Sequence, residues 1–178
     1  MLLKGKTLAM ALGPHFEDLE FWAVFMRIKE EGATIITAGL HAGDVYISKS
    51  EGLTAKADVS FSDLRAVDLA GLLIPGGWAP DKIRRDEHLK ALIQEMDRLK
   101  RVLGFICHAG WVAASAGIMK GRIAAGSEGI KDDMINAGAK WVDEAAIADE
   151  NRVWGRVVAD IPEYNRLLIA TLARFSSV

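Results

Sequence analysis

Cys107 is the single cysteine of the chain, and it stands where a thiol could act as a nucleophile. It follows the apolar run VLGFI at residues 102–106 and precedes His108 and an alanine-rich segment, a pattern typical of a buried strand turning into a helix. On such a turn the side chain is exposed, and the partial positive charge of the helix N-terminus would lower the pKa of the thiol. The position therefore predicts attack on a carbonyl. The competing interpretations are an inert core cysteine, since free cysteines are often buried, and a cysteine that pairs between molecules.

Two glycines at another predicted strand end could assist the thiol. Gly76 and Gly77 follow the apolar run LLIP at residues 72–75. Without a Cβ, their backbone amides can come close to a bound oxygen, and with the amide of His108 they would form an oxyanion hole opposite Cys107. The structural alternative is a plain turn that needs a positive φ.

Acidic residues near these strand ends could act as proton acceptors. Glu17 follows the first predicted strand and could accept a hydrogen bond from Cys107 or from substrate, although a carboxylate in the first turn of a helix also caps that helix. His108 needs a third group to orient it, and Asp81 is the nearest candidate. Two further residues, Trp78 and Trp111, could line an apolar wall of the same pocket.

The elements that position these residues alternate between short apolar runs and amphipathic stretches. Predicted strands cover 7–13, 34–38, 72–77 and 102–106, a hairpin-like excursion covers 45–58, and strand-like segments cover 141–142, 145–148 and 152–154. Predicted helices cover 80–99, 108–116, 130–137 and 160–175, and another begins at 18 and ends near the glycine at 32. Because strands alternate with helices, we predict an α/β sandwich with a mainly parallel central sheet, whose strand ends carry the site.

Composition narrows the possible functions. The 178 residues are 51% apolar and 26% charged, which is typical of one globular domain over residues 1–178. The net charge of −2 gives no basic surface for nucleic acid or membrane lipid. One cysteine excludes an intrachain disulfide, a Cys-x-x-Cys zinc site and a cysteine-ligated iron–sulfur cluster. The histidines lack metal-ligand spacing, and no phosphate-binding glycine motif is present. We therefore expect no metal and no cofactor, and a cytoplasmic location.

Four motifs, in order along nearly the whole chain, resemble one family. They are HFEDLEF at 15–21, LLIPGGWAPDKIR at 72–84, GFICHAG at 104–110 and GIKDDMINAGAKWVDE at 129–144. On these motifs the chain resembles the PfpI family of intracellular cysteine proteases and deglycases, within the class I glutamine amidotransferase-like superfamily.

The resemblance implies a three-layer flavodoxin-like sandwich that forms a homodimer or a hexamer. It implies that Cys107 is the nucleophile, that Glu17 hydrogen-bonds the thiol and that His108 is the acid–base partner. It also implies that Asp81 completes a triad from a neighbouring subunit. Peptide hydrolysis, removal of dicarbonyl adducts from amines and thiols, and cofactor-free conversion of methylglyoxal to lactate are the activities it implies, and all begin with thiolate attack on a carbonyl.

The chain departs from the family pattern close to the cysteine. Phe105 replaces a small residue, and where the family usually reads Cys-His-Gly-Pro, His108 is followed here by Ala109-Gly110-Trp111. Asp81 replaces the commoner Glu, and Trp78 stands where polar residues are frequent. We expect this aromatic bulk to reshape the pocket for a substrate smaller or more apolar than a peptide.

We therefore predict a cysteine-dependent enzyme acting on small carbonyl compounds or glycated adducts, with protease activity as a further possibility. One alternative is a non-enzymatic redox sensor or chaperone that uses an oxidisable Cys107. A structural subunit with a vestigial site is another.

Overall fold

The apolar runs of the sequence form a parallel sheet, and the amphipathic stretches form the helices that cover it. The computed structural model describes residues 1–175. The strands are β1 (Thr7–Ala11), β2 (Thr34–Gly39), β3 (Val45–Ile47), β4 (Thr54–Lys56), β5 (Val59–Ser60), β6 (Gly71–Ile74), β7 (Val102–Ile106), β8 (Ile123–Ala124), β9 (Lys140–Trp141), β10 (Ala146–Asp149) and β11 (Arg152–Gly155). The helices are α1 (Asp18–Glu30), α2 (Ala79–Ile83), α3 (Glu87–Arg98), α4 (Gly110–Ser115), α5 (Lys131–Asn136) and α6 (Ile161–Phe175).

The central sheet has seven strands in the order β10-β11-β7-β6-β1-β2-β5. All neighbouring pairs are parallel except β10 with β11. β6, β7 and most of β1 are buried, which explains why they read as continuous apolar runs rather than as alternating ones. This order brings the carboxyl ends of β1, β6 and β7 side by side. The predicted α/β sandwich with a mainly parallel sheet is therefore confirmed.

Helices cover both faces of the sheet and divide the core in two. On one face α1 contacts α6, and their apolar side chains pack with Leu8, Met10 and Leu73. On the other face α3 and α4 contact each other and pack with Leu72, Ile74 and other buried side chains. The three layers hold the sheet rigid from both sides, so the loops at its carboxyl edge lie on a fixed base.

Several element boundaries differ from the sequence prediction, for local reasons. The helix predicted over residues 80–99 is two helices, because Asp86 has an extended backbone and its side chain accepts a hydrogen bond from the Leu89 amide, starting α3 afresh. The segment after β7 begins with a 3₁₀ turn before the short α4. The predicted hairpin is present as β3 and β4, and β5 adds a strand to the sheet edge that the sequence pattern did not indicate. Residues 176–178, the end of the predicted domain, lie outside the described residues.

The hairpin is tied to the end of the sheet through one residue. Phe16, just after β1, forms a parallel bridge with Ser48 and an antiparallel bridge with Gly77. The amide of Lys49 also donates to the Phe16 carbonyl, at 2.8 Å. The turn between β3 and β4 is thereby fixed beside the glycines that follow β6.

Candidate active site

Cys107 lies on a strained elbow between β7 and the 3₁₀ turn. Its φ of 59° is in the left-handed region that residues with a side chain rarely adopt. Such a conformation costs roughly 1–3 kcal/mol and persists only where the surroundings enforce it. The thiol is half-buried, and the strand-to-helix turn predicted for it is present.

The carboxylate beside the thiol is Glu20, and the prediction that Glu17 fills this role is wrong. Glu20 is fully buried, its Oε2 accepts the Gly76 amide at 2.7 Å, and it hydrogen-bonds the thiol of Cys107. Glu17 is the N-cap of α1, and its Oε2 accepts the amides of Leu19 and Glu20 at 2.8 Å each. The capping alternative therefore describes Glu17, because its extended backbone turns the carboxylate back onto the first turn of the helix.

The sequence does contain a signal for Glu20. Positions 20, 24 and 28 recur at intervals of four, and in the structure Glu20, Val24 and Ile28 all face the core. An acidic residue in phase with the apolar stripe of a helix must be buried once the helix docks, and a buried carboxylate needs hydrogen-bond partners. This phase, rather than proximity to the strand end, distinguishes Glu20 from Glu17.

Burial and proximity raise the pKa values of both members of the pair. Burial, and secondarily the Glu17 carboxylate, raise the pKa of Glu20 to about 7, against the Gly76 hydrogen bond that favours ionisation. Burial and the neighbouring Glu20 carboxylate raise the pKa of the Cys107 thiol to about 12. The sequence predicted a lowered thiol pKa from a helix N-terminus, and that prediction is wrong, because desolvation and the adjacent acid outweigh the short helix. A thiolate forms most readily when Glu20 takes up the thiol proton.

Two of the three amides predicted for an oxyanion hole point at the sulfur. The backbone amides of Gly77 and His108 both hydrogen-bond the Cys107 thiol. The Gly76 amide is not free for this purpose, because it donates to Glu20. Position 76 instead requires a glycine because there is no room for a side chain. A Cβ there would lie 2.6 Å from both the Cys107 Cβ and Glu20 Oε2.

The His108 ring is held between two tryptophans. Its Nδ1 lies 3.8 Å from the Cys107 Sγ. The ring stacks on Trp78 with centroids 5.4 Å apart and on Trp111 with centroids 5.1 Å apart, both within 17° of parallel. The Trp111 Nε1 donates to Asp133 at 2.7 Å, which fixes that side of the stack. Burial lowers the pKa of His108 and so favours the neutral form of the ring.

A cation covers each outer face of this stack. Lys49 Nζ lies 5.6 Å from the centroid of the Trp78 ring, and the Arg84 guanidinium carbon lies 5.8 Å from that of Trp111. The Arg84 Nε also donates to the Ser115 hydroxyl at 2.8 Å. Sequence reasoning missed Lys49 and Asp133, because no period or motif connects them to Cys107.

The remaining residues that the sequence analysis assigned to the site are Asp81, Phe105, Trp78 and Trp111. Within one chain Asp81 is half-exposed and pairs with Lys82 at 3.0 Å and Arg85 at 4.0 Å, and residues 1–175 show no hydrogen bond between Asp81 and His108. Phe105 is fully buried and stacks on Trp154 at 4.7 Å, so its bulk goes to the core and not, as expected, to the pocket. Trp78 and Trp111 both stack on His108, the residue after Cys107, and their role as a pocket wall stays a prediction.

The described part of the chain contains no cluster of three or more His, Cys, Asp and Glu side chains that could hold a metal ion. Among the helices of residues 1–175, none combines the length and the apolar character needed to cross a membrane.

The sequence profile of the DJ-1/PfpI family matches residues 6–171. The chain belongs to the DJ-1/PfpI family. A family member from Pyrococcus horikoshii, named Deglycase PH1704, is 35% identical over 157 residues, which cover 88% of this chain and 93% of that protein. The putative cysteine protease YraA of Bacillus subtilis is 32% identical over 162 residues, covering 91% of this chain and 95% of that protein.

Solved structures of the family share the fold. A two-domain Anabaena variabilis protein, with a DJ-1/ThiJ/PfpI-like domain and a ferritin-like domain, superposes with a TM-score of 0.92 at 29% identity. The match covers 94% of this chain and 48% of that protein, so the chain spans about half its length. The resemblance seen in the sequence motifs is therefore confirmed for family and fold.

Proposed function

We propose that this protein is a Cys107-dependent enzyme that acts on small carbonyl compounds or on their adducts with amines and thiols. The observation that carries the proposal is the strained Cys107 elbow, with the thiol hydrogen-bonded to the buried Glu20 and contacted by two backbone amides. The names of the relatives, a deglycase and a putative cysteine protease, support the same type of chemistry.

In the proposed first step the thiol proton moves to Glu20 as the sulfur attacks the carbonyl carbon. The pKa of Glu20, about 7, suits it to accept a proton and return it near neutral pH. The S–C bond forms, and the electron pair of the C=O π bond moves onto the oxygen. The amides of Gly77 and His108 stabilise the negative charge as it passes from the sulfur to this oxygen. Glu20 then protonates the oxygen to give a hemithioacetal on Cys107.

With a 2-oxoaldehyde as substrate, the reaction can finish without a cofactor. A base removes the proton from C1 to form an enediol, and reprotonation at C2 leaves a 2-hydroxyacyl thioester on Cys107. The neutral His108 ring, with its Nδ1 3.8 Å from Sγ, is placed to move this proton. Water then hydrolyses the thioester, releases the hydroxy acid and restores the thiol. C1 is oxidised and C2 reduced by the same two electrons.

The aromatic stack favours a small substrate over a peptide. Trp78 and Trp111 flank His108 on both faces, and Trp78 is 48% exposed beside the thiol. These rings narrow the approach to Cys107, so a dicarbonyl compound or a compact adduct fits the site better than an extended chain.

The test compares methylglyoxal consumption and lactate formation in the wild type and three variants. Cys107→Ser should abolish both, and Glu20→Gln should reduce them by at least about a hundredfold, since it removes the proton acceptor. Glu17→Gln removes a neighbouring carboxylate that accepts the first amides of α1 and takes no thiol proton, so it should stay within about threefold of the wild type. Unchanged turnover in Cys107→Ser would overturn the proposal.

A redox sensor or chaperone is the competing function. A thiol with a pKa raised to about 12 holds little thiolate, and thiolate is the form that peroxide oxidises. Mass spectrometry after mild peroxide treatment separates the two: selective sulfinate at Cys107 with a change of assembly, and no turnover, would favour the sensor.

We also propose that the protein assembles as a homodimer or hexamer in which Asp81 reaches a neighbouring subunit's site. Leu19 and Met26 on the outer face of α1 are 52% and 63% exposed, and such apolar side chains are suited to a subunit contact. Mixing Cys107→Ser and Asp81→Asn chains tests the trans arrangement. Hybrid assemblies should regain activity if Asp81 acts on the neighbour's His108, and should stay inactive if it acts in its own chain.

A further inference from the structure

Lys49 is held next to the candidate site by backbone contacts. It lies in the turn between β3 and β4, where its amide donates to the Phe16 carbonyl at 2.8 Å. Phe16 is also bridged to Gly77, whose amide contacts the Cys107 sulfur. Lys49 is thus separated from the glycine turn by a single bridging residue, and its position does not depend on a flexible loop alone.

The side chain of Lys49 lies against the aromatic stack beside the site. Its Nζ lies 5.6 Å from the centroid of the Trp78 ring, and Trp78 in turn stacks on His108. The positive charge of Lys49 acts on both Glu20 and His108. It favours the ionised form of Glu20 and the neutral form of His108, so it lowers the pKa of both. The lysine is therefore part of the electrostatic environment of Cys107.

The Lys49 ammonium has no anionic partner within the described chain. Lys49 is exposed and takes part in no ion pair among residues 1–175. The acid on the adjoining segment, Asp18, is occupied by Ser50, through the hydroxyl at 2.5 Å and the amide at 3.2 Å. On the far side of the stack, the Arg84 Nε is already bound to Ser115. Lys49 is thus a cation at the mouth of the site with hydrogen-bond donors free for a ligand.

We propose that Lys49 binds a carboxylate of the substrate, so that the site prefers carbonyl adducts carrying a negative charge over neutral ones. The inference rests on the proposed function for the identity of the substrate. The exposed Trp78 ring lies between the ammonium and His108, where it would contact the uncharged part of such a molecule. The adducts of dicarbonyl compounds with amino acids or with acidic thiols have this chemistry.

The first experiment measures the charge preference at Cys107 without requiring turnover. Iodoacetate and iodoacetamide alkylate the same thiol and differ in charge, and Cys107 is the single cysteine, so each rate reports one site. A change in thiolate content affects both reagents equally and cancels in the ratio of their rates. Lys49→Met should lower the iodoacetate-to-iodoacetamide ratio about three- to tenfold, and Lys49→Arg should retain it.

The matched control is Lys56→Met. Lys56 is an exposed lysine on the other strand of the same hairpin, so its removal makes the same change in net charge away from the stack. Its ratio should remain that of the wild type. Added salt should lower the wild-type ratio toward that of Lys49→Met. An unchanged ratio in Lys49→Met, or an equal fall in Lys56→Met, would overturn the inference.

The second experiment uses turnover of two matched adducts. The hemithioacetals of methylglyoxal with N-acetylcysteine and with N-acetylcysteine amide differ by one carboxylate. Lys49→Met should reduce kcat/KM about three- to tenfold for the first and leave the second within twofold. If neither adduct is turned over but the alkylation ratio depends on Lys49, the proposed function fails and the anion site stands. If both are turned over and neither measurement depends on Lys49, the anion site fails and the proposed function stands.

Discussion

Replacing Glu20 with glutamine should change how the stability of the protein depends on pH. Burial raises the pKa of Glu20 from 4.5 to about 7 in the folded state, and this rise corresponds to about 3 kcal/mol of unfolding free energy. The folded state holds the proton more tightly than the unfolded chain. The stabilisation of the folded state by protonated Glu20 is therefore complete below pH 4.5, and it is lost as the pH rises through about 7. Glutamine does not titrate, so the variant lacks this loss.

The measurement is urea unfolding of the wild type and Glu20→Gln at pH 5 and pH 8.5, at one protein concentration. Between these pH values the wild type should lose about 2–3 kcal/mol relative to the variant. The comparison uses the change with pH and not the absolute stability. The glutamine side chain can still accept the Gly76 amide. Its NH₂ group would take the place of Oε1, which has no hydrogen-bond partner, and burying that unpaired group costs unfolding free energy. This cost does not vary with pH.

The control for this experiment is Glu17→Gln. Its carboxylate is half-exposed at the end of the same helix and contributes less than burial to the raised pKa of Glu20, so its variant should keep most of the pH dependence of the wild type. Stability curves of the wild type and Glu20→Gln that run parallel from pH 5 to pH 8.5 would refute the reasoning. The buried carboxylate would then not be titrating in this range.

Three further predictions concern the same site. Glu20→Gln should speed alkylation of Cys107 by iodoacetamide severalfold at pH 8.5, because loss of the carboxylate lowers the thiol pKa and this reagent, unlike a carbonyl substrate, needs no proton returned to an oxygen. Gly76→Ala should lower the unfolding free energy by about 1–3 kcal/mol, measured in urea, because its Cβ would lie 2.6 Å from two site atoms. Trp111→Leu should raise the pKa of His108 toward its usual value, measured by NMR titration of the imidazole protons, because the ring becomes more hydrated.

Each of these three substitutions has a matched control variant. Glu17→Gln should leave the alkylation rate nearly unchanged, and an equal acceleration would show that any nearby charge has the effect. Gly52→Ala is the control for backbone substitution, since a Cβ there meets only the Ser50 hydroxyl, at 3.2 Å. Trp111→Phe keeps an aromatic face against His108 and should retain the lowered pKa. The same rise in both Trp111 variants would point to the lost Asp133 hydrogen bond instead.

The alternation of strands and helices along the chain and the elbow at Cys107 could be predicted from the sequence because their signals are local. The run VLGFI ends just before Cys107. The pattern of a buried strand followed by a turn can be recognised within ten residues of sequence. The glycine pair after β6 is equally local. In parallel sheets such strand ends meet at one edge, so the approximate place of the site follows from topology alone.

The identity of the acid depends on something less local, the phase of α1. A shift in the start of the helix by one residue would turn a different side chain toward the core. Here the Glu17 cap fixes the start, and three residues later Glu20 points inward. The thiol pKa was mispredicted for a related reason, because the helix N-terminus is visible in the sequence and the buried neighbour is not.

The contacts of Lys49 could not be predicted, because they depend on how separate segments meet. Its approach to Trp78 requires the bridges of Phe16 to both Ser48 and Gly77. The stack on His108 likewise joins residues after β6, after β7 and in α4, with Asp133 of α5 as an anchor. None of these pairings leaves a periodic trace in the sequence.

The two edges of the central sheet limit how copies of this chain can associate. One edge is the two-residue strand β5, which offers a second chain too few backbone groups for stable pairing. The other edge, β10, lies beside β8, and the Asp149 side chain there accepts the amide of Ile123. Growth of the sheet from chain to chain, the first stage of fibrous aggregation, is therefore disfavoured at both ends. Contacts between copies of this chain would therefore use side-chain surfaces rather than the sheet edges.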